Sequence, residues 1–145
     1  MSTATFTELL RKPREVLKHI DEGQVRITRR DGDDLVILRG HDHDVQEEGI
    51  RLSSRLFLAL ARHGGDAVAS VRELFAWTAE FSDAEVQSYA EEMKDLVYSA
   101  SELGIFERLI RAQTEWKETA AAYASGLGPV RAEELLSESV PVERP

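Results

Sequence analysis

The chain has 145 residues and a mass of 16.3 kDa, which suits one domain with a modest core and excludes a two-domain enzyme of the dinucleotide-binding or barrel kind. It contains no cysteine, so disulfides, thiolate metal sites and thiol nucleophiles are excluded, and its first twenty residues hold no apolar run of the kind a signal peptide or membrane span needs. The net charge of −9 is uneven, because residues 1–40 hold eight Lys and Arg against seven Asp and Glu, whereas residues 41–145 hold ten against twenty.

Two short helices are predicted at the start of the chain. Thr7 is a candidate N-cap for a first turn through Leu10, and Pro13 interrupts that turn because proline lacks an amide proton. Pro13 also suits the first turn of a second helix, which apolar spacing places at about residues 13–22, with Gly23 as its C-terminal stop.

A β-hairpin is predicted over residues 24–39. Val25 and Ile27 alternate with polar residues, which indicates a half-buried strand, and the DGDD sequence that follows is typical of a tight turn. The continuous apolar run 35–38 predicts a strand covered on both faces.

The rest of the chain is predicted to be helical. The acidic, histidine-containing stretch after Gly40 is interpreted as a solvated linker, and a following helix ends at two glycines, Gly64 and Gly65. Two capping-box patterns follow, Ser70 with Glu73 and Ser82 with Glu85. The second opens an amphipathic helix of roughly five to six turns that Gly104 ends.

A last amphipathic segment covers residues 105–127, and only Gln113 breaks its apolar stripe. Large aromatic side chains on such a helix suit the groove of a partner protein. The predicted partner-binding residues are Phe106, Leu109, Trp116 and Tyr123. The same stripe also fits packing on the preceding helix as an intramolecular hairpin, and both arrangements can hold in different states. Residues 129–145 are predicted to be a weakly ordered tail.

Residues 5–39 resemble the N-terminal domain of the Phd/YefM family of type II antitoxins. The resemblance rests on three segments in order: FTELLRK, PREVLKHIDEG and VRITRRDGDDLVIL. Two departures are Pro13 at the helix junction, where the family more often has Leu or Ser, and the acidic DGDD turn, which disfavours phosphate contacts at the hairpin tip.

The resemblance implies an α+β protein in which an N-terminal helix-helix-hairpin module dimerises and binds operator DNA in its own promoter, followed by an all-helical region that neutralises a toxin. A module of roughly 40 residues is near the lower limit for an independent core, which also favours burial against a second copy. The expected organisation is a module at 1–44, a helical region at 45–128 with a toxin-binding segment at about 100–128, and the tail. The acidic character of residues 41–145 suits a basic toxin, because opposite charges increase the rate at which two proteins associate.

The predicted DNA-binding residues combine the dense basic cluster near the helix junction with one arginine of the hairpin and one hydroxyl. They are Arg11, Lys12, Arg14, Arg30 and Thr7. Guanidinium groups can bind guanine edges or phosphates with two parallel hydrogen bonds. Arg30 is favoured over Arg29 because it shares a strand face with Arg26 and Thr28, and a solvated helix junction remains the alternative for the cluster.

Neither catalysis nor a cofactor is expected. Residues 41–44 read HDHD, but adjacent residues rarely converge on one metal ion without distant partners, so no metal site is predicted. Two alternatives to an antitoxin stay open: a stand-alone DNA-binding transcription regulator, and a protein-interaction module that does not bind DNA. Both would be cytoplasmic, as would the antitoxin.

Overall fold

The computed structural model describes residues 1–126. The predicted tail and Leu127 of the last stripe lie outside the described residues. The chain divides into two compact units, Met1–Ile50 and a second that begins at Arg51. The fold is mixed α+β and mostly helical, with one small sheet at the N-terminus.

The first unit contains the whole sheet and two short helices. Its elements are β1 (Ser2–Thr5), α1 (Phe6–Arg11), α2 (Pro13–Lys18), a 3-10 helix (His19–Glu22), β2 (Val25–Thr28) and β3 (Leu35–Ile37). The strand order is β1-β2-β3, with β1 parallel and β3 antiparallel to β2. The predicted hairpin is therefore confirmed, but β1 was missed because its sequence STAT carries no apolar alternation.

The core of the first unit is small. Its buried apolar side chains are Ala4, Val16, Val25 and Ile27, with Leu9, Ile20 and Ile37 packed around them. Val25 and Ile27 point inward, as the alternation in β2 predicts. The helix predicted at 13–22 is confirmed as α2 and the 3-10 helix together, and Gly23 after it has a φ of 121°, which favours glycine.

Two predictions for the first unit were wrong. The N-cap of α1 is Thr5 and not Thr7, since the Thr5 hydroxyl accepts a hydrogen bond from the Glu8 amide at 3.1 Å. The strand predicted to be covered on both faces is β3, which instead lies at the edge of the sheet. Its residues Leu35 and Val36 remain 40% and 42% exposed in the single chain. The run is apolar, yet no other element of the described residues covers it.

The second unit is helical. Its elements are the C-terminal part of α3 (Gly40–Arg62), α4 (Ala67–Leu74), a 3-10 helix (Ala76–Glu80), α5 (Asp83–Leu103) and α6 (Glu107–Ala124). The linker predicted after Gly40 was wrong, because α3 begins at that residue and includes the HDHD stretch. Glycine and acidic residues here do not prevent a helix that continues into the apolar periodicity after residue 50.

The predicted caps have mixed outcomes. The Ser82–Glu85 capping box is present in both directions, with the Glu85 amide donating to Ser82 Oγ at 3.2 Å and the Ser82 amide donating to the Glu85 carboxylate at 3.0 Å. Gly104 ends α5 with a φ of 69°. The Ser70 cap was wrong, because Asp66 caps α4 and Ser70 lies inside that helix, donating to the Asp66 carbonyl.

A cluster of aromatic rings joins α5, α6 and the 3-10 helix in the second unit. Tyr89 lies at its centre, with ring centroids 5.1 Å from Trp77 and 5.6 Å from Trp116. Phe81 packs edge-on against Trp116 at 5.5 Å. Buried aromatic area of this kind contributes strongly to stability, so the stripe of α6 is part of the core of this unit.

Candidate functional site

Two neighbouring surface depressions of the first unit contain four of the five predicted DNA-binding residues. One depression is lined by residues that include Thr7, Thr28 and Arg30. The other is lined by residues that include Thr7, Arg11 and Lys12. Thr7 belongs to both, so the depressions adjoin at the start of α1. We call Thr7, Arg11, Lys12 and Arg30 the basic surface. Asp31 also lines the first depression, and Glu8 and Glu15 also line the second.

The sheet explains why residues far apart in the sequence meet here. Because β1 is parallel to β2, the C-terminal ends of both strands lie side by side, and Thr5 pairs with Thr28 in the register. The Thr28 hydroxyl also donates to the Ala4 carbonyl at 3.4 Å. The chain then enters α1 from β1 and reaches Arg30 from β2, which places Thr7 and Arg30 in the same depression.

The cations of the basic surface are mostly free of internal ion pairs. Arg11 and Arg30 are exposed and form no ion pair within residues 1–126. Lys12 lies 3.9 Å from the Glu15 carboxylate, and both side chains are about two-thirds exposed. Such a contact is worth little in water, so all three cations can bind an external anion.

Arg29 and Arg30 were predicted to alternate at the end of the strand, but β2 ends at Thr28, and both arginines line the same depression. The Arg29 Nε donates to the Asp33 carbonyl at 2.9 Å and thereby closes the turn. Arg26 pairs with the Asp34 carboxylate at 3.2 Å. Arg26 and Arg29 therefore have partners within the acidic turn, whereas Arg30 is exposed and forms no ion pair within residues 1–126.

Arg14 is separate from the basic surface. It is exposed on α2 and lines neither depression. Thr5 and Thr28, in contrast, add hydroxyl groups to the depression that holds Arg30. The pattern Thr5-x-x-Glu8 is a capping-box signature, so it was the sequence signal that could have placed the helix start, and hence these hydroxyls, correctly.

The predicted partner-binding residues of α6 lie against their own unit. Leu109 is fully buried and Phe106 is 8% exposed. The Trp116 indole donates to the Glu92 carboxylate at 3.0 Å, and the Tyr123 hydroxyl donates to Glu85 at 2.6 Å. The intramolecular hairpin is therefore the arrangement in this structure, and an external partner would reach Leu109 only after α6 leaves α5.

Three potential metal ligands lie on one turn of α3. The ligand atoms of His43, Asp44 and Glu47 lie within 4.8 Å of one another, and all three residues are exposed. The helical spacing adds Glu47 to His43 and Asp44 of the HDHD stretch, and His41 and Asp42 are not in the group. Within residues 1–126, no ligand from another element joins this group, and exposed three-ligand groups of this kind are common on acidic helices.

Two titratable groups of the second unit have shifted pKa values. Burial raises the pKa of the Tyr89 phenol well above its usual range, because the charged phenolate is disfavoured away from water. Hydrogen bonds from His63 and Arg62 lower the pKa of the exposed Glu73 carboxyl. The Glu73 contacts join the end of α3 to α4, with His63 Nε2 2.8 Å from the carboxylate, which is a structural role.

A scan of the chain against protein-family models, a search of curated proteins and a search of solved structures found no match. Within residues 1–126, no helix combines the length and the apolar character that crossing a membrane requires.

Proposed function

We propose that this chain is the antitoxin of a type II toxin-antitoxin system, which binds operator DNA through its first unit and a protein toxin through its second unit. The observation that carries the DNA-binding part is the basic surface. Thr7 lies in both of its depressions, and Arg11 and Arg30 lie there without internal ion pairs. Phosphate is the ligand that such outward cations and hydroxyl groups bind.

Dimerisation of the first unit is supported by its exposed apolar side chains. Leu10 is 68% exposed and Leu17 is 44% exposed, in addition to Leu35 and Val36 on the edge strand. A core of four buried side chains leaves little stability for the unit alone, so burial of these residues against a second copy would add the missing apolar area. A two-fold dimer would present two copies of the basic surface to a palindromic site.

Toxin binding is assigned to the second unit for two reasons: the charge of this unit, and the resemblance of residues 5–39 to the Phd/YefM antitoxins. Residues 51–145 hold ten Lys and Arg against sixteen Asp and Glu, a net charge of −6. A basic toxin would be attracted to this region before contact. Contact through Phe106, Leu109, Trp116 and Tyr123 stays a prediction that requires separation of α6.

The DNA-binding proposal is tested by electrophoretic mobility shift with the DNA upstream of the chain's own reading frame. Arg30→Ala is expected to weaken binding and to reduce the slope of log affinity against log salt by about 1, because one phosphate contact is lost. Lys117→Ala removes an equal charge from the exposed side of α6 and is the control. If the wild-type chain does not retard this DNA at low ionic strength, the proposal is wrong.

A second candidate is a DNA-binding regulator with no toxin partner. The burial of Leu109 and Phe106 within the second unit favours it, because a stable helical unit needs no partner to cover this stripe. Co-expression with the product of the adjacent reading frame separates the two: an antitoxin relieves growth arrest by that product, whereas a stand-alone regulator does not.

A further inference from the structure

Gly32 lies in the acidic turn between β2 and β3, and its backbone conformation does not require glycine. Its φ lies outside the left-handed region, in contrast to the φ of Gly23 before β2. A Cβ atom at position 32 would lie 2.8 Å from a terminal nitrogen of Arg29 and 3.0 Å from Cζ of the same side chain. Non-bonded carbon atoms pack best at about 3.5–4.0 Å, so these distances are too short. The space that a side chain of residue 32 would take is therefore occupied by the Arg29 guanidinium.

The Arg29 side chain also closes the turn. Its Nε donates a hydrogen bond to the Asp33 carbonyl at 2.9 Å, while its guanidinium lies beside Gly32. We call this arrangement of Arg29, Gly32 and Asp33 the turn contact. A guanidinium is suited to it because the group is planar and carries donors on three nitrogens. The turn contact joins the two ends of residues 29–33 and so removes conformations that the turn would otherwise adopt.

The turn contact borders the depression that holds Arg30. Arg29 and Arg30 both line this depression, together with three threonines. Because β2 ends at Thr28 and β3 begins at Leu35, Arg30 lies outside the paired strands. The Arg30 side chain is exposed and forms no ion pair or hydrogen bond within residues 1–126. Its position therefore depends on the backbone of the turn, which the turn contact holds.

Direct binding of phosphate by Arg29 is the alternative role for this residue. The turn contact already engages its Nε and places a terminal nitrogen beside Gly32, and these belong to the donor set that a bidentate phosphate contact uses. The donors of Arg30 are not engaged by any residue in the described part of the chain. The geometry therefore favours Arg29 as a support for Arg30.

We propose that Gly32 and Arg29 are positioning residues: Gly32 leaves the space in which the Arg29 guanidinium closes the turn, and the closed turn holds Arg30 in the depression. This rests on the proposed function in that the phosphate of DNA is the ligand of Arg30. Residue 32 is then glycine because of the space that Arg29 needs, and not because of its own backbone.

The positioning role is tested by electrophoretic mobility shift with the DNA upstream of the chain's own reading frame. Gly32→Ala keeps every charge of the chain but displaces the end of the flexible Arg29 side chain, and is expected to weaken binding about threefold or more. Gly40→Ala is the matched control. Gly40 also lacks a positive φ, and no atom lies within 4 Å of its Cβ position, so the affinity should change less than about 1.5-fold.

Double variants separate positioning from direct contact. Gly32→Ala should have no further effect in an Arg30→Ala background, because it acts through Arg30, and none in an Arg29→Ala background, where the displaced group is absent. If Gly32→Ala weakens binding by the same factor with and without Arg30, Arg29 acts on the DNA by itself and the positioning role is wrong.

A second measurement does not depend on DNA. The Arg29 Nε–H signal in a proton–nitrogen NMR spectrum, assigned with Arg29→Lys, should exchange slowly with water in the wild type and faster in Gly32→Ala. Gly40→Ala should leave the signal unchanged, and the urea unfolding midpoint checks that each variant is folded. A signal that Gly32→Ala does not alter would overturn the turn contact.

The two experiments distinguish this proposal from the proposed function. If the NMR signal responds as expected but the wild-type chain does not retard the DNA at low ionic strength, the DNA-binding proposal fails and the turn contact stands. If the wild-type chain and Gly32→Ala retard the DNA equally, the DNA-binding proposal stands and the positioning role fails.

Discussion

The hydroxyl of Tyr89 donates a hydrogen bond to the side-chain oxygen of Gln113, which joins the N-terminal half of α5 to the N-terminal half of α6. Tyr89 is fully buried, so its hydroxyl has no access to water. Gln113 is the one polar residue in the stripe of α6, and it lies where it satisfies this group. The interruption of the apolar pattern therefore specifies the register of the two helices.

Replacing Gln113 with Leu should destabilise the second unit. The substitution restores an unbroken apolar stripe but leaves the buried Tyr89 hydroxyl without a partner, at a cost of about 1–3 kcal/mol. The free energy of unfolding in urea measures this. Gln87→Leu makes the same change on the exposed side of α5, where Gln87 only bonds Glu91, and should cost less than about 0.5 kcal/mol. Equal effects of both variants would contradict the assigned role of Gln113.

Stability should fall at alkaline pH because of Tyr89. Burial raises the pKa of its phenol in the folded state, so the folded chain retains a proton that the unfolded chain loses above pH ~10. The contribution of Tyr89 to the free energy of unfolding is complete below pH ~10 and decreases above that pH by about 1.4 kcal/mol per pH unit. Urea titrations from pH 9 to 11.5 should show a shallower loss in Tyr89→Phe than in the wild type. Parallel curves would contradict the raised pKa.

The N-cap of α5 should contribute measurably to the free energy of unfolding. Ser82→Ala removes the hydroxyl that accepts from the Glu85 amide, and should lower the free energy of unfolding by about 1 kcal/mol. Ser88→Ala is the matched control, because Ser88 is exposed within α5, where Ala favours the helix. A control that loses as much stability as Ser82→Ala would show that the cap contributes nothing specific.

Self-association should depend on the edge strand β3. Val36→Glu places a charge on the exposed apolar face of the first unit and should convert a wild-type dimer to monomer in sedimentation velocity. Leu58→Glu alters another exposed apolar residue, in the second unit, and should leave the dimer intact. A monomeric wild-type chain at micromolar concentration, or a Val36→Glu variant that remains dimeric, would refute this interface.

Local patterns in the sequence were enough to predict most of the helices and strands. Pro13 and Gly23 delimited the second helix, DGDD marked the turn, and Ser82 with Glu85 placed the start of α5, because each acts through its own backbone or its immediate neighbours. The linker predicted after Gly40 was wrong, because polar composition alone does not stop a helix that continues into apolar periodicity.

Long-range contacts could be decided only by the tertiary structure. The parallel pairing of β1 with β2 brings Thr7 next to Arg30, and no local pattern reports that pairing because it joins residues more than twenty positions apart. The apolar stripe of α6 is compatible with either a partner or α5, and the hydrogen bond from Tyr89 to Gln113 belongs to the packing on α5. By itself, the sequence determined helices, turns and the uneven distribution of charge, since these depend on neighbouring residues. The tertiary structure decided which apolar faces are covered, because burial depends on elements that are distant in the chain.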